Sequence, residues 1–218
     1  MENTKLRTQA EVNEFAGTSI EGSLIIQGSG IDDLSPLLTL TSVGGDLNVS
    51  YNKSFTNLDG LGNLASVGGN LIIKRNASLT NFHGLGNITS VSGFLNIGFN
   101  PSLTNLAGLS NITSVGGDLI IQGNATLTNI GGLRNIASVG GDLNVSYNKS
   151  FTNLNGLRNL ASVGGDLYIK SNPALTIFNG LSNLTSLGRD LVIKYNSTLS
   201  NLDWWSNLTK DKSRGDLK

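Results

Sequence analysis

Cysteine is absent from this chain of 218 residues, which excludes disulfide staples, thiolate metal sites and cysteine nucleophiles. That absence leaves the redox compartment open, because a cysteine-free protein folds in either. Histidine occurs once, at His83, so neither a Ser-His-Asp triad nor a zinc cluster can be assembled from the usual groups. Charge is scarce too, at 14% of residues, and 15 basic side chains cancel 15 acidic ones. A phosphate backbone or an acidic membrane finds no broad basic face, which argues against nucleic acid as a partner. No apolar run approaches the ~20 residues of a membrane span, so no direct membrane insertion is expected. The opening residues, MENTKLRTQAEV, lack the apolar core of a secretory signal; the chain is either cytosolic or one from which a signal has been removed.

What the chain has is repetition. GGDLNVSYNKSFTNLDGLGNLASVGG begins at Gly44 and returns at Gly140, changed only from Asp59 to Asn155 and from Gly62 to Arg158. The offset of 96 is four periods of 24, and the flanking rows follow: IIQG recurs in the row before each copy, and LTNFHGL pairs with LTIFNGL in the row after. A block of four rows has been duplicated. Counting from Leu24 to Leu191 gives eight rows, the first of them one residue short after Ser29.

The apolar spacing changes inside a row. Leu47 and Val49 alternate with Asp46, Asn48 and Ser50, the period of a half-buried strand. Phe55, Leu58, Leu61, Leu64 and Val67 then come at every third residue. A strand cannot keep every third side chain on one face, and an α-helix would reject so much Gly and Asn. A path with three residues per turn, polyproline-like or 3₁₀-like, can. Each row is therefore one coil, a short strand followed by an irregular return leg. A single coil cannot bury its own apolar face; eight stacked at the strand spacing of ~4.8 Å form a solenoid about 35–40 Å long.

Asparagine supports the stacking. One column follows the strand (Asn52, Asn76, Asn100, Asn124, Asn148, Asn172, Asn196) and a second lies on the return leg (Asn63, Asn87, Asn111, Asn135, Asn159, Asn183, Asn207). A side-chain amide inside a solenoid can bond backbone groups that an irregular leg leaves unpaired, so both columns read as structural ladders. The Asn-x-Ser/Thr matches at Asn52, Asn76, Asn124, Asn148 and Asn196 fall in the ladder and would be buried rather than glycosylated. Paired glycines such as Gly44–Gly45 and Gly140–Gly141 mark the corner where the return leg becomes the next strand, a place for positive φ. No helix follows them, as a phosphate-cradling loop would need.

These features give 1–22 as an N-terminal cap around Val12, Phe15 and Ile20, and 23–208 as the solenoid, closed by Trp204 and Trp205. Residues 209–218 are expected to form a flexible tail. The row GGDLxIxxNxxLTNLxGLxNLxSV resembles the leucine-rich-repeat-like coils of receptor L domains, and is most similar to the long bacterial versions found in secreted and surface proteins. The stretch TQAEVNEFAGTSIEGSLIIQGSGIDDLSPL is similar to the way those domains begin. The resemblance spans about residues 8–208. It implies an all-β repeat protein, a right-handed parallel β-solenoid with one short strand per coil of about 24 residues, an extracellular or cell-surface location, and no catalysis or cofactor. Receptor domains commonly carry disulfide-bonded caps; here the caps must hold by packing alone.

Few residues carry chemistry. His83 sits in a slot occupied elsewhere by Asp59, Ala107, Gly131 and Asn155, as a solvated side chain would. Asp118, Asp142, Asp166 and Asp190 would stand about 5 Å apart in a column, near enough to hold a cation or raise one another's pKa. The plainer reading is that aspartate suits the strand-leading corner. On the outward strand positions and just beyond them lie Tyr51, Lys74, Arg75, Phe99, Tyr147, Tyr168, Lys170, Lys194 and Tyr195. Aromatics mixed with Lys and Asn are what protein- and glycan-binding surfaces use, so this face is expected to recognise a protein or glycan, with the chain a monomer. Two alternatives stand beside this adhesion role. The threonine column (Thr56, Thr80, Thr104, Thr128, Thr152, Thr176, ending in Ser200) and the serine column from Ser42 to Ser186 could order water and bind ice, unless they are internal hydroxyl ladders. The chain could also be a purely structural repeat module of a larger surface protein.

Overall fold

The computed structural model describes residues 2–199. Trp204, Trp205, Asn207, Ser200 and the expected tail at 209–218 lie outside the described residues. Nine strands stack in sequence order into one parallel sheet. They are Thr4–Leu6, Leu24–Ile26, Leu47–Ser50, Leu71–Lys74, Leu95–Gly98, Leu119–Gln122, Leu143–Ser146, Leu167–Lys170 and Leu191–Lys194. The register is one period: Leu47 pairs with Leu71, and Leu71 with Leu95. Alternation does what the sequence requires of it, with Leu71 and Ile73 fully buried and Ile72 and Lys74 half-exposed.

The return leg begins with the spacing of three. Its apolar residues, Leu58, Leu61 and Leu64 in one coil, are all fully buried. A single 3₁₀ turn lies among them at Asp59–Leu61, repeated at His83–Leu85, Ala107–Leu109 and onward to Asn179–Leu181. Each coil then adds a second strand of two residues, Ser66–Val67 and its equivalents, with the valine turned inward. The core is thus enclosed by the long sheet on one side and by 3₁₀ turns and short strands on the others, and stacking supplies its continuity.

At the N-terminus, Thr4–Leu6 forms a ninth rung that pattern reading did not find, pairing Leu6 with Ile26. Helix Gln9–Asn13 follows, started by a capping box in which Thr8 Oγ1 accepts from Glu11 N–H (3.2 Å) and Thr8 N–H donates to Glu11 Oε2 (3.0 Å). Val12, on the helix, is fully buried and Ile20 nearly so. The short first row loses its residue earlier than expected. Gly28 N–H donates to Asn52 Oδ1 (2.9 Å) in the way Asn52 N–H donates to Asn76 Oδ1, so the missing residue lies between the strand and the ladder position.

The corner glycines correct an expectation. Gly123 is the one glycine with positive φ among the described residues. The paired glycines are needed instead because neighbouring backbones touch: a Cβ on Gly140 would sit 2.1 Å from Gly116 O. One coil lacks the first glycine, reading Ser92-Gly93-Phe94 where its neighbours read Gly68-Gly69-Asn70 and Gly116-Gly117-Asp118. There the short strands separate into a three-stranded sheet ending at Ser66–Val67 and a five-stranded sheet starting at Ser90–Val91. Gly68 N–H donates to Val43 O and Gly116 N–H to Val91 O, each at 2.8 Å; Ser92 has no counterpart bond among the described residues. At the equivalent Gly116 an added Cβ would meet the preceding corner's Ser92 O at 2.1 Å, so a residue with a Cβ needs more room here than glycine does.

Two substitutions at this corner should therefore act oppositely. Gly140→Ser is expected to lower the urea midpoint by an amount equivalent to about 1–3 kcal/mol, as overpacking does. Ser92→Gly should leave the midpoint unchanged or raise it.

Candidate functional site

The first asparagine column is a clamp that determines where the exposed residues stand. Asn124 Oδ1 accepts Asn100 N–H (3.0 Å), and Asn124 Nδ2 donates to Ile97 O (3.0 Å), so one amide satisfies two groups of the preceding coil. Asn148 does the same for Asn124 N–H and Ile121 O. Asn52 through Asn172 are buried, and each unsatisfied group left by removing one would cost about 1–3 kcal/mol. The second column is exposed and makes one bond per coil, for example Asn111 Nδ2 to Gly86 O (2.6 Å).

Turning the chain from strand to clamp requires a left-handed residue. Tyr51, Arg75, Phe99, Tyr147, Ser171 and Tyr195 all have φ between 54° and 60°, with Gly123 completing the column at 69°. Each L residue there costs about 1–2 kcal/mol relative to ordinary backbone, a cost glycine would avoid. Their side chains lie at the surface: Tyr51 is 46% exposed, Phe99 45%, Tyr147 58% and Tyr195 79%. The Arg75 guanidinium lies between two of them, 5.2 Å from the Tyr51 ring centroid and 5.4 Å from that of Phe99. The Phe99 ring leans over Gly123, where an added Cβ would meet it at 2.7 Å. Tyr51, Arg75 and Phe99 are thus one continuous stack, with Tyr147 and Tyr195 further along the same line.

Lys74, Lys170 and Lys194 end their strands one residue before this column, and Tyr168 lies two residues before Lys170 in the same strand. Lys170 Nζ sits 4.2 Å from the Tyr168 ring centroid, and Tyr168 Oη donates to Asp166 Oδ2 (2.5 Å). Chiefly through that bond, Asp166 is held below the ordinary carboxylate range and Tyr168 is pushed up to about 12.

The aspartate column is a third ladder, which sequence reasoning missed. Asp118 Oδ1 accepts Asp142 N–H (2.8 Å), Asp142 Oδ1 accepts Asp166 N–H (2.8 Å), and Asp166 Oδ1 accepts Asp190 N–H (2.7 Å). Asp46 and Asn70 do the same for the coils that follow them. The signal was present in the exchange of Asp for Asn, which preserves an acceptor. Asp118, Asp142 and Asp166 thus each bind backbone along the stack, and among the described residues no three acidic, His or Cys side chains converge on a point. His83 is exposed at the start of a 3₁₀ turn.

The threonine column is also corrected, from an internal ladder to a surface one. Thr80 Oγ1 donates to Thr56 O (3.0 Å) and Thr152 Oγ1 to Thr128 O (3.1 Å), on side chains that are exposed or half-exposed. The serine column forms the outward position of the short strands.

These features define a class: a parallel β-solenoid whose ordered side chains build a surface. Residues 113–203 match the family model of the Receptor L domain, so this stretch of the chain is receptor L-domain-like. No curated protein matches the chain.

The pH dependence of the Tyr168–Asp166 pair follows from its geometry. Asp166, lowered on folding, adds stability that is present above the unfolded carboxylate range and lost as pH falls through its folded value. Tyr168, raised on folding, adds stability that is complete below pH 10 and lost as pH rises through about 12. In an NMR-monitored titration, Asp166→Asn is expected to return the Tyr168 phenol toward its ordinary value; an unmoved titration would contradict the assignment.

Proposed function

We infer that the chain is a non-catalytic recognition module that binds an extracellular or cell-surface partner along the strand-exit edge of its long sheet. The observation that carries this reading is the left-handed column. Glycine would fill every one of those positions without strain, yet in the described coils six of seven hold another residue and four of those are aromatic. Backbone strain retained under exposed side chains is a feature of functional sites. The aromatics and Arg75, together with Lys74, Lys170 and Lys194, supply the apolar area and hydrogen-bond donors that recognition surfaces use. The receptor L-domain-like match supports binding rather than catalysis, and the single histidine and ladder-bound aspartates offer no acid–base pair.

The test displays wild-type protein and a Tyr51→Ala/Tyr147→Ala variant to a glycan array and to a random peptide library. Ligands enriched on wild type should be lost from the variant by tenfold or more. Enrichment that is the same for both proteins would overturn the choice of surface.

A further inference from the structure

The surface carries a second period, twice the coil. Tyr51, Phe99, Tyr147 and Tyr195 occupy every second coil, while Arg75, Gly123 and Ser171 occupy the coils between. The outer face of the sheet alternates in step. Three of the four aromatic-bearing coils present a half-exposed asparagine, Asn48, Asn96 and Asn144, beside a buried small residue, Ser50, Gly98 and Ser146, while the Tyr195 coil carries Val192 with Lys194; the intervening coils present Ile72 with Lys74, Ile120 with Gln122, and Tyr168 with Lys170. Stacking alone does not demand this, because the inward residues repeat with each coil. An outer surface with its own translational repeat fits a ligand that also repeats.

Two coils span about 9.6 Å at the strand spacing. An extended polypeptide repeats at about 6.8 Å, out of step with this array. A nucleic acid would want a basic stripe, and the chain is neutral overall. Two linked pyranose rings of an extended β-1,4 glycan span close to two coils and present the same ring face once per pair. A sugar face is a row of C–H groups that packs on an aromatic ring, while its rim of hydroxyls needs donors and acceptors. The half-exposed Asn48, Asn96 and Asn144, with Lys74, Gln122 and Lys170, flank the column to meet them. Asn144 Oδ1 is buried and has no hydrogen-bond partner, unlike the equivalent Asn48 Oδ1, which accepts from Ser50 Oγ.

We propose that the aromatic column is a platform for a neutral, extended β-1,4-linked glycan running along the solenoid axis, one aromatic ring to each disaccharide. This rests on the reading of the strand-exit edge as the binding surface. The glycan lies along Tyr51, Phe99, Tyr147 and Tyr195, and the Arg75 guanidinium, set between the first two rings, is a donor for its hydroxyl rim.

The decisive experiment is a binding isotherm of the full chain on microcrystalline cellulose and on chitin, with amylose as the α-linked control. Wild type should bind at least one β-linked polymer and ignore amylose, and Tyr147→Ala should weaken binding about tenfold, as loss of one stacked ring does. The register is tested by Tyr147→Ser combined with Ser171→Tyr, which keeps the composition and reuses a position already left-handed. This exchange should weaken binding as much as Tyr147→Ala; equal binding by the exchanged protein would overturn the spacing argument. Circular dichroism and the urea midpoint confirm that each variant is folded. Failure to bind either polymer, or equal binding to amylose, overturns the glycan assignment. If the peptide library still yields ligands that depend on Tyr51 and Tyr147, the surface survives and only its ligand class is wrong.

Discussion

Close contact between successive backbones is the constraint on which the rest of the structure depends. Coils sit so near that a Cβ on Gly108 would fall 1.6 Å from Phe82 O, and one on Gly140 2.1 Å from Gly116 O. At that distance much of the irregular backbone finds its hydrogen bonds in the coil next to it. Three side-chain columns supply them: buried asparagines after the strand, asparagines on the return leg, and acidic or amide acceptors before the strand. The hydrophobic core fills the interior, but these ladders hold each coil to its period and place equivalent residues in line.

That alignment gives the surface its meaning. The asparagine clamp pulls the chain inward immediately after the strand, and the residue before it must turn through left-handed backbone. Its side chain is thereby held outward at a fixed height in every coil. Change of a single letter in each row then writes a linear pattern on a rigid scaffold. The pattern written here is aromatic in alternate coils, with an asparagine on the neighbouring strand face in three of the four.

Much of the fold was legible because one-dimensional stacking repeats each physical demand eight times. Leu47 and Val49 alternating, then Leu58, Leu61 and Leu64 at threes, determine strand and return leg without tertiary information. What escaped was either local or relational. The rung Thr4–Leu6 carries too few letters for a period, and pairing alone reveals it. Corner glycines were assigned to positive φ because sequence cannot separate a conformational need from a steric one. The residues that do have positive φ, Tyr51 and Arg75 among them, are poor formers of that conformation, so propensity pointed away from them. The aspartates looked like a cation column because letters show side chains in line but not the N–H groups between them. The aromatic surface was visible as a set of exposed candidates, whereas its strain and the stacking of Arg75 required coordinates.

The central claim, that strained backbone is retained to hold side chains for recognition, is tested most directly by Tyr147→Gly. Tyr147 is 58% exposed and glycine is at ease in its left-handed backbone. The unfolding free energy, measured by urea titration, should be unchanged or rise by about 1 kcal/mol, while capture of the ligand falls. A clear loss of stability with binding intact would show that the ring serves the fold and would contradict the account.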